Sequence, residues 1–479
     1  MNFNDTEQQA QFRVKCSAWL KDNAQLKTQT GNHNPHGKAG SPEFLDASRI
    51  WQKKKFDAGW AMLHCPKIYG GLEASPLERI IWDQEEAKFS VPRGVYEIGL
   101  GMAGPVMMQY ATEQQKQRYL PPMAAGEEIW CQLFSEPSAG SDVAGLRSKA
   151  VQDDDDWIIN GQKVWTSGAQ FCDYGIIVVR HDANLDKHAG MTFFFVDMKS
   201  PGIDIKPIKQ ITGGSSFNEV YFSDVRIPDS QRLGAVGDGW RVAITTLMNE
   251  RLAVGDANGV DATEAFEWAQ GQDDHGHALI QNRAVRESIA DWYCQASGLK
   301  NTKLRTMSAL SKGDTPGPEA SITKVVSANK LQAIGNFGID SLDMAGMLKT
   351  DLSDVHEFHN AWLGSAGLRI AGGTDEILKN IIAERVLGYL KTREQIKGWR
   401  LKIFPRVNRG NNAFITPAAY EERVIHPLSR VNRSKASRDD QCLCPHPPLG
   451  ACRTLGPVYS QHQNAWLHHR LHLSLLLVA

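Results

Sequence analysis

The chain has 479 residues, 42% apolar and 22% charged, an ordinary globular composition that excludes a disordered or collagen-like protein. Lys and Arg (53) balance Asp and Glu (54), so no chain-wide field favours nucleic acid or an anionic membrane. No stretch reaches the ~18 apolar residues a membrane helix needs, and the polar start Met1–Cys16 is not expected to act as a secretory signal.

At ~100–200 residues per domain, two to four domains are expected. Residues 1–128 read as an N-terminal helical domain. Leu77–Phe89 runs without Gly or Pro, and Val106–Leu120 carries apolar residues at helical spacing until Pro121 and Pro122, which should stop the helix. Over 129–235 the period changes. Short β-branched and aromatic runs at Trp157–Ile159, Gly175–Val179, Thr192–Val196 and Val220–Phe222 are separated by turn clusters at Asp153–Asp156, Asn160-Gly161 and Pro201-Gly202. Short strands at regular spacing, with no helix between them, predict an antiparallel sandwich or barrel. From 236 to 392 the helical period returns, with a connection expected near Gln270–Gly276. Residues 393–479 form an atypical basic tail, with 13 Lys or Arg against 5 Asp or Glu, interrupted by Pro and expected to be irregular. The eight Cys lie far apart and are expected to be reduced thiols of a cytoplasmic protein.

The most specific stretch is Trp130–Gly145, where a strand runs into a turn of Ser, Pro and Gly. Small residues allow close backbone approach, and Ser135 and Ser141 add hydroxyls, so the turn suits a flat polar ligand. On the residues alone, an ordinary Ser- and Gly-rich turn is equally open.

This stretch resembles the signature of the acyl-CoA dehydrogenase family, whose Ser-Glu-Pro-x-Ala-Gly-Ser-Asp turn holds FAD. Three further segments resemble the family in order: Val164–Gly168, Phe217–Pro228 and Ile370–Gly388. The resemblance implies an α+β fold, with an N-terminal helical domain, a central antiparallel β-domain and a C-terminal four-helix bundle. It places Gln132, Phe134, Ser135, Gly140 and Ser141 on FAD, Trp165, Thr166 and Ser167 beside its ring, and Thr374 and Glu376 near the start of the last helix. Thr374 followed by Asp375-Glu376 is also a plain N-cap with acidic first-turn residues. The implied reaction is α,β-dehydrogenation of an acyl-CoA, with electrons passing to an electron-transfer flavoprotein and a homo- or hetero-oligomer as the working state.

The family's commoner base position, just before the Gly-Thr pair, holds Gly372 here, and glycine accepts no proton. Some long- and branched-chain members carry the Glu on an earlier helix, before an Arg, and Glu250-Arg251 stands at that place. Leu247, Met248, Leu252 and Ala253 give it an apolar setting that favours a basic carboxylate. Glu250 is therefore the expected base. Arg251, Gly372 and Ser141 are expected to face substrate, the Gly372 N–H polarising the thioester carbonyl. A surface Glu-Arg step is the plain alternative.

Two motifs are set aside. Gly99-Leu-Gly101-Met-Ala-Gly104 fits G-x-G-x-x-G but follows a helical region and opens no βαβ unit; its small residues are read as widening a pocket wall. Cys442, Cys444, His446 and Cys452 match no standard zinc spacing, so no metal is expected. A flavin oxidase or monooxygenase on the same fold, and a non-catalytic subunit of a mixed oligomer, are the competing readings.

Overall fold

The computed structural model describes residues 5–27, 40–253, 259–271, 277–310, 317–318, 320–348 and 353–389, all within one compact unit spanning 1–400. The basic tail, the four candidate zinc ligands and most of the connection near 270–276 lie outside the described residues. The helical, β and helical order is the one expected.

Three helices open the chain: α1 (Glu7–Asn23), α2 (Pro42–Asp57) and α3 (Pro76–Glu86). Each begins at a hydroxyl cap, Thr6, Ser41 or Ser75, whose oxygen accepts the backbone N–H three residues on. Their inner faces bury Trp51, Trp60, Ile81 and Trp82, and Trp60 stacks on Trp82 at 4.8 Å. Short strands β1 (Gln25–Leu26) and β2 (Phe89–Ser90) pair antiparallel.

A π-helical turn at Gly99–Ala103 leads into α4 (Gly104–Tyr110), and α5 (Glu113–Ala125) follows. Gly99 of that turn and Gly104 at the start of α4 face packed side chains, not a pocket. A Cβ at Gly104 would meet Met62 and one at Gly99 would lie 3.3 Å from Met123, so they permit tight packing. Two further expectations are corrected. The single helix over 106–120 is two helices, because the Thr112 hydroxyl caps a new one. Pro121 and Pro122 lie inside α5, which ends at Gly126 in the left-handed region. Buried Tyr119, Leu120, Met123 and Ala124 outweigh the two backbone donors the prolines remove.

The central sheet has seven strands: β3 (Trp130–Leu133), β4 (Lys149–Asp153), β5 (Asp156–Ser167), β6 (Tyr174–Arg180), β7 (Met191–Asp197), β8 (Ile203–Ile208) and β9 (Phe217–Pro228). Their order is β3-β6-β4-β5-β9-β8, with β7 paired to β6. Four pairings are antiparallel; β6 pairs in parallel with β3 and with β4. Phe193 and Phe195 enter the core shared with α4–α5, while Phe194 enters the core on the other face, all fully buried.

The C-terminal helices are α6 (Gly239–Ala253), α7 (Ala262–Gln270), α8 (Arg283–Leu310), α9 (Ala320–Asp340), α10 (Ser353–Leu368) and α11 (Asp375–Ile381), the last continuing as a π-helical turn. The four longest are α6, α8, α9 and α10. Helix α9 packs against all of the other three and against α11, and with α7, α8 and α10 it encloses Leu331, Ile334, Phe358 and Ala361.

Candidate active site

The turn after β3 is tight. Glu136 and Ala139 exchange both backbone hydrogen bonds, at 3.1 and 3.0 Å, around Pro137-Ser138. The buried Glu136 carboxylate accepts from the Arg147 and Ser148 backbone N–H groups at 2.6 and 3.0 Å and from Lys163 Nζ at 2.9 Å. Lys163, fully buried on β5, also donates to the carbonyls of Phe134 (3.1 Å) and Val178 (2.8 Å). One ammonium thus ties the turn to β5 and β6. Burial alone would raise Glu136; the Lys163 charge and these bonds outweigh it and hold the carboxyl below its usual range. Burial pushes the Lys163 amine down, against the pull of Glu136.

The Val164 N–H donates to the Ser135 carbonyl at 2.9 Å, which brings the next residue, Trp165, beside the turn. Trp165 sits where the β5–β9 register slips, at φ +60°, and is 58% exposed. A bulky side chain in the left-handed region is strained, and a bulge of this kind re-aims a side chain. Thr166 is buried, and its Oγ1 has no hydrogen-bond partner among the described residues. Gly140 and Ser141 are exposed, and a Cβ on Gly140 would meet nothing within 4 Å. A strained aromatic face, an orphaned buried hydroxyl and an open small-residue turn fit a flat, polar-edged ring system such as a flavin. Phe134 is buried, packs edge-on to Phe193 and has its carbonyl engaged by Lys163.

Glu250 comes from the last turn of α6. Its Oε2 accepts from Gln132 Nε2 at 3.1 Å, and a Cβ built on Gly372 would lie 3.5 Å from its Oε1. The carboxylate therefore reaches from α6 to the spot where a side chain at 372 would begin. Gly372 and Gly373 have φ of +65° and +99°, a turn that only glycine enters without strain. Behind it, buried Lys324 on α9 donates to the Gly373 carbonyl at 2.7 Å. Burial pulls the Lys324 amine below its usual range; Asp375 and Glu250 oppose that shift and Arg369 adds to it. Asp375 is buried and accepts from Arg369 Nε (2.8 Å) and Asn329 Nδ2 (3.1 Å), which outweigh its burial and keep it ionised.

The structure thus gathers Gln132, Ser135, Trp165 and Thr166 on one side and Glu250 with Gly372 on the other, the Gln132–Glu250 bond joining them. Thr374 caps α11 by accepting from the Ile377 N–H, and Glu376 is exposed in that helix's first turn. Ser167 is half-buried at the end of β5. The side chain of Arg251 lies outside the described residues. Sequence reasoning did not single out Lys163 or Lys324. Lys163 is the lone lysine of its strand, Asp156–Ser167, whereas Lys324 shares a mixed helical stretch with Lys330 and carries no local signal. A groove of about 780 Å³ opens beside the turn, lined in part by Arg147, Lys149, Arg180, His181 and Lys187. Among the described residues no group of His, Cys, Asp or Glu is placed to hold a metal, and no helix is long and apolar enough to cross a membrane.

Comparison with known proteins gives the class first. Residues 6–127, 131–225 and 237–387 match, in turn, the N-terminal, middle and C-terminal domains of acyl-CoA dehydrogenases, which are flavoprotein oxidoreductases. The chain belongs to the acyl-CoA dehydrogenase family. It is 40% identical over 334 residues to acyl-CoA dehydrogenase FadE34 of Mycobacterium tuberculosis, covering 69% of this chain but only 45% of that protein. With acyl-CoA dehydrogenase IpdE1 of the same organism it is 34% identical over 387 residues, 79% of this chain and 97% of the relative. The ChsE4-ChsE5 complex from Mycobacterium tuberculosis superimposes with TM-score 0.66 at 27% identity, over 82% of this chain and 100% of that one. The Tcur3481-Tcur3483 steroid ACAD shares the fold, with TM-score 0.68 at 24% identity and the same coverage.

Proposed function

We propose that this chain catalyses FAD-dependent α,β-dehydrogenation of an acyl-CoA thioester to the 2-enoyl-CoA, with Glu250 as the α-proton base. The observation that carries the reading is the Glu250 carboxylate standing against Gly372. A base delivered from α6 occupies the place that a residue before Gly-Thr would otherwise serve.

FAD would be held by Gln132, Phe134, Ser135, Gly140 and Ser141, by Trp165, Thr166 and Ser167, and by Thr374 and Glu376 at the head of α11. When bound, it supplies the acceptor for the β-hydrogen and both electrons. The chain's own residues do the rest. Trp165 would lie beside the ring and shield it from water. The Thr166 hydroxyl, buried and unpartnered among the described residues, would be available to donate to FAD. The Gly372 N–H, in a loop braced by Lys324, donates to the thioester carbonyl and acidifies the α-carbon. Glu250 then takes the α-proton on its carboxylate. Ser141, Arg251 and the cationic groove beside the turn serve the CoA portion, whose phosphates suit Arg147, Lys149 and Lys187. A base delivered from α6, with glycine at 372, suits a long, branched or bulky acyl group.

Electrons would pass to an electron-transfer flavoprotein, and the chain would work in an oligomer, with itself or with a related chain. The five described cysteines are free thiols, which suits a cytoplasmic setting. Residues 1–128, 129–235 and 236–392 would be its three domains, with 393–479 outside the catalytic core. The test is to mix the purified protein anaerobically with straight-chain, branched and polycyclic acyl-CoAs. Flavin absorbance should fall and enoyl-CoA should appear without oxygen. Oxygen uptake with peroxide would point to an oxidase. A chain that binds no flavin without a partner chain would be a supporting subunit.

A further inference from the structure

A base has to be aimed as well as present. Glu250 has a long side chain and stands three residues before the end of α6. Gln132 is placed quite differently. It lies on β3 between the fully buried Cys131 and Leu133, in parallel register opposite Ile176 of β6. Its backbone is therefore fixed by the sheet, and its amide reaches across to α6, donating to Glu250 Oε2 at 3.1 Å. The other oxygen, Oε1, is turned toward Gly372.

We propose that Gln132 is a positioning residue for the α-proton base: its strand-borne amide holds one carboxylate oxygen of Glu250 so that the other faces the Gly372 loop and the reacting carbon. This rests on Glu250 being the base. An N–H donated to a carboxylate favours the anion, so the amide also keeps the base unprotonated and ready. Gln132 then has a duty distinct from binding FAD, and it couples the flavin-side strand to the helix that carries the base.

Other charges face this carboxylate. Lys324 on α9 acts on it directly, and Arg369, Asp375 and Glu376 surround Lys324. The side chain of the adjoining Arg251 is outside the described residues. Among the elements packed on α6, α4 brings Tyr110, bonded to Thr245, and β6 and β7 bring Tyr174, Arg180 and Asp197 at their ends. All of these are unchanged when Gln132 alone is replaced, so a difference between variants reports the amide.

The experiment compares wild type, Gln132→Met, Gln132→Glu and Glu250→Gln as complete chains. The first readout is the pH profile of anaerobic loss of flavin absorbance on adding acyl-CoA. In Gln132→Met the acid limb should move up by about one pH unit, the size of a hydrogen bond lost from a charged acceptor. In Gln132→Glu it should move up further, because two facing carboxyls share a proton. The second readout does not need flavin. It is the infrared titration of the Glu250 carboxylate band, assigned by its loss in Glu250→Gln, and it should show the same upward shifts. An unmoved acid limb and an unmoved band in both Gln132 variants would overturn the proposal. If Gln132→Met loses flavin, the band alone decides. If Glu250→Gln keeps its reaction rate, the base assignment fails instead, while the band still reports whether Gln132 holds Glu250.

Discussion

Thr166 hides a hydroxyl oxygen from water with no partner among the described residues. A buried hydroxyl left unmade costs about 1–3 kcal/mol, so its retention beside a strained, exposed Trp165 is explained if it serves the flavin. Replacing Thr166 with Val keeps the shape and removes the orphan. The flavin-free protein should melt at the same temperature or slightly higher, while FAD should bind roughly tenfold more weakly. Calorimetry of the flavin-free form and a fluorescence titration with FAD check the two halves; unchanged FAD affinity would remove Thr166 from the site. A second residue acts far from the chemistry. His64 is largely buried near Arg79, and burial, followed by the Arg79 charge, pushes its imidazole down to about 4. The unfolded chain binds this proton from about pH 6.5, whereas the native chain does not until about pH 4. Its stability contribution is therefore complete above about pH 6.5 and is lost as pH falls toward 4, by at most about 3 kcal/mol. Urea unfolding of His64→Gln at pH 7 and pH 5 should show a smaller acid loss than wild type. An equal loss would place the effect elsewhere.

The turn after β3 depends on Lys163, which lies on another strand. Lys163→Met would leave the Glu136 carboxylate, 4% exposed, with the Arg147 and Ser148 donors but no charged partner among the described residues. Breaking a buried pair this way is expected to destabilise the fold by about 3–5 kcal/mol and to lower flavin content by loosening the turn. Urea unfolding and the ratio of flavin to protein absorbance measure both. A stable, fully yellow Lys163→Met protein would show that the turn holds itself. The turn was legible in the sequence because Ser-Glu-Pro-Ser-Ala-Gly-Ser has few alternatives to a tight, small-sided bend. Its anchor was not, because a buried lysine and a surface lysine are written with the same letter and differ only in what surrounds them. Helix ends divided similarly. Thr112 and Thr374 carry cap chemistry in their own sequence, and Thr374 was recognised from it. The run through Pro121 and Pro122 depends on tertiary burial of Tyr119, Leu120 and Met123, which no local rule contains.

Across the whole molecule, the order of helical, sheet and helical regions followed from changes in apolar period, which burial imposes along the chain. What periodicity does not supply is convergence. Gln132, Trp165, Glu250 and Gly372 belong to four segments separated by tens to more than a hundred residues, and only the packing of α6 against the sheet and α9 joins them. The absence of a carboxylate at 372 was visible in the sequence, and the resemblance supplied Glu250 as its substitute. The contact between the two emerged only in three dimensions. The proposed chemistry thus rests on one carboxylate carried by α6 rather than by the loop before Thr374. The most direct measurement is the anaerobic rate at which an acyl-CoA removes flavin absorbance in Glu250→Gln, at wild-type flavin content. The expected result is a fall of about 10²–10⁴-fold, the usual loss when a general base is removed. A rate near that of wild type, in a folded and fully flavinated variant, would contradict the assignment of Glu250 as the base.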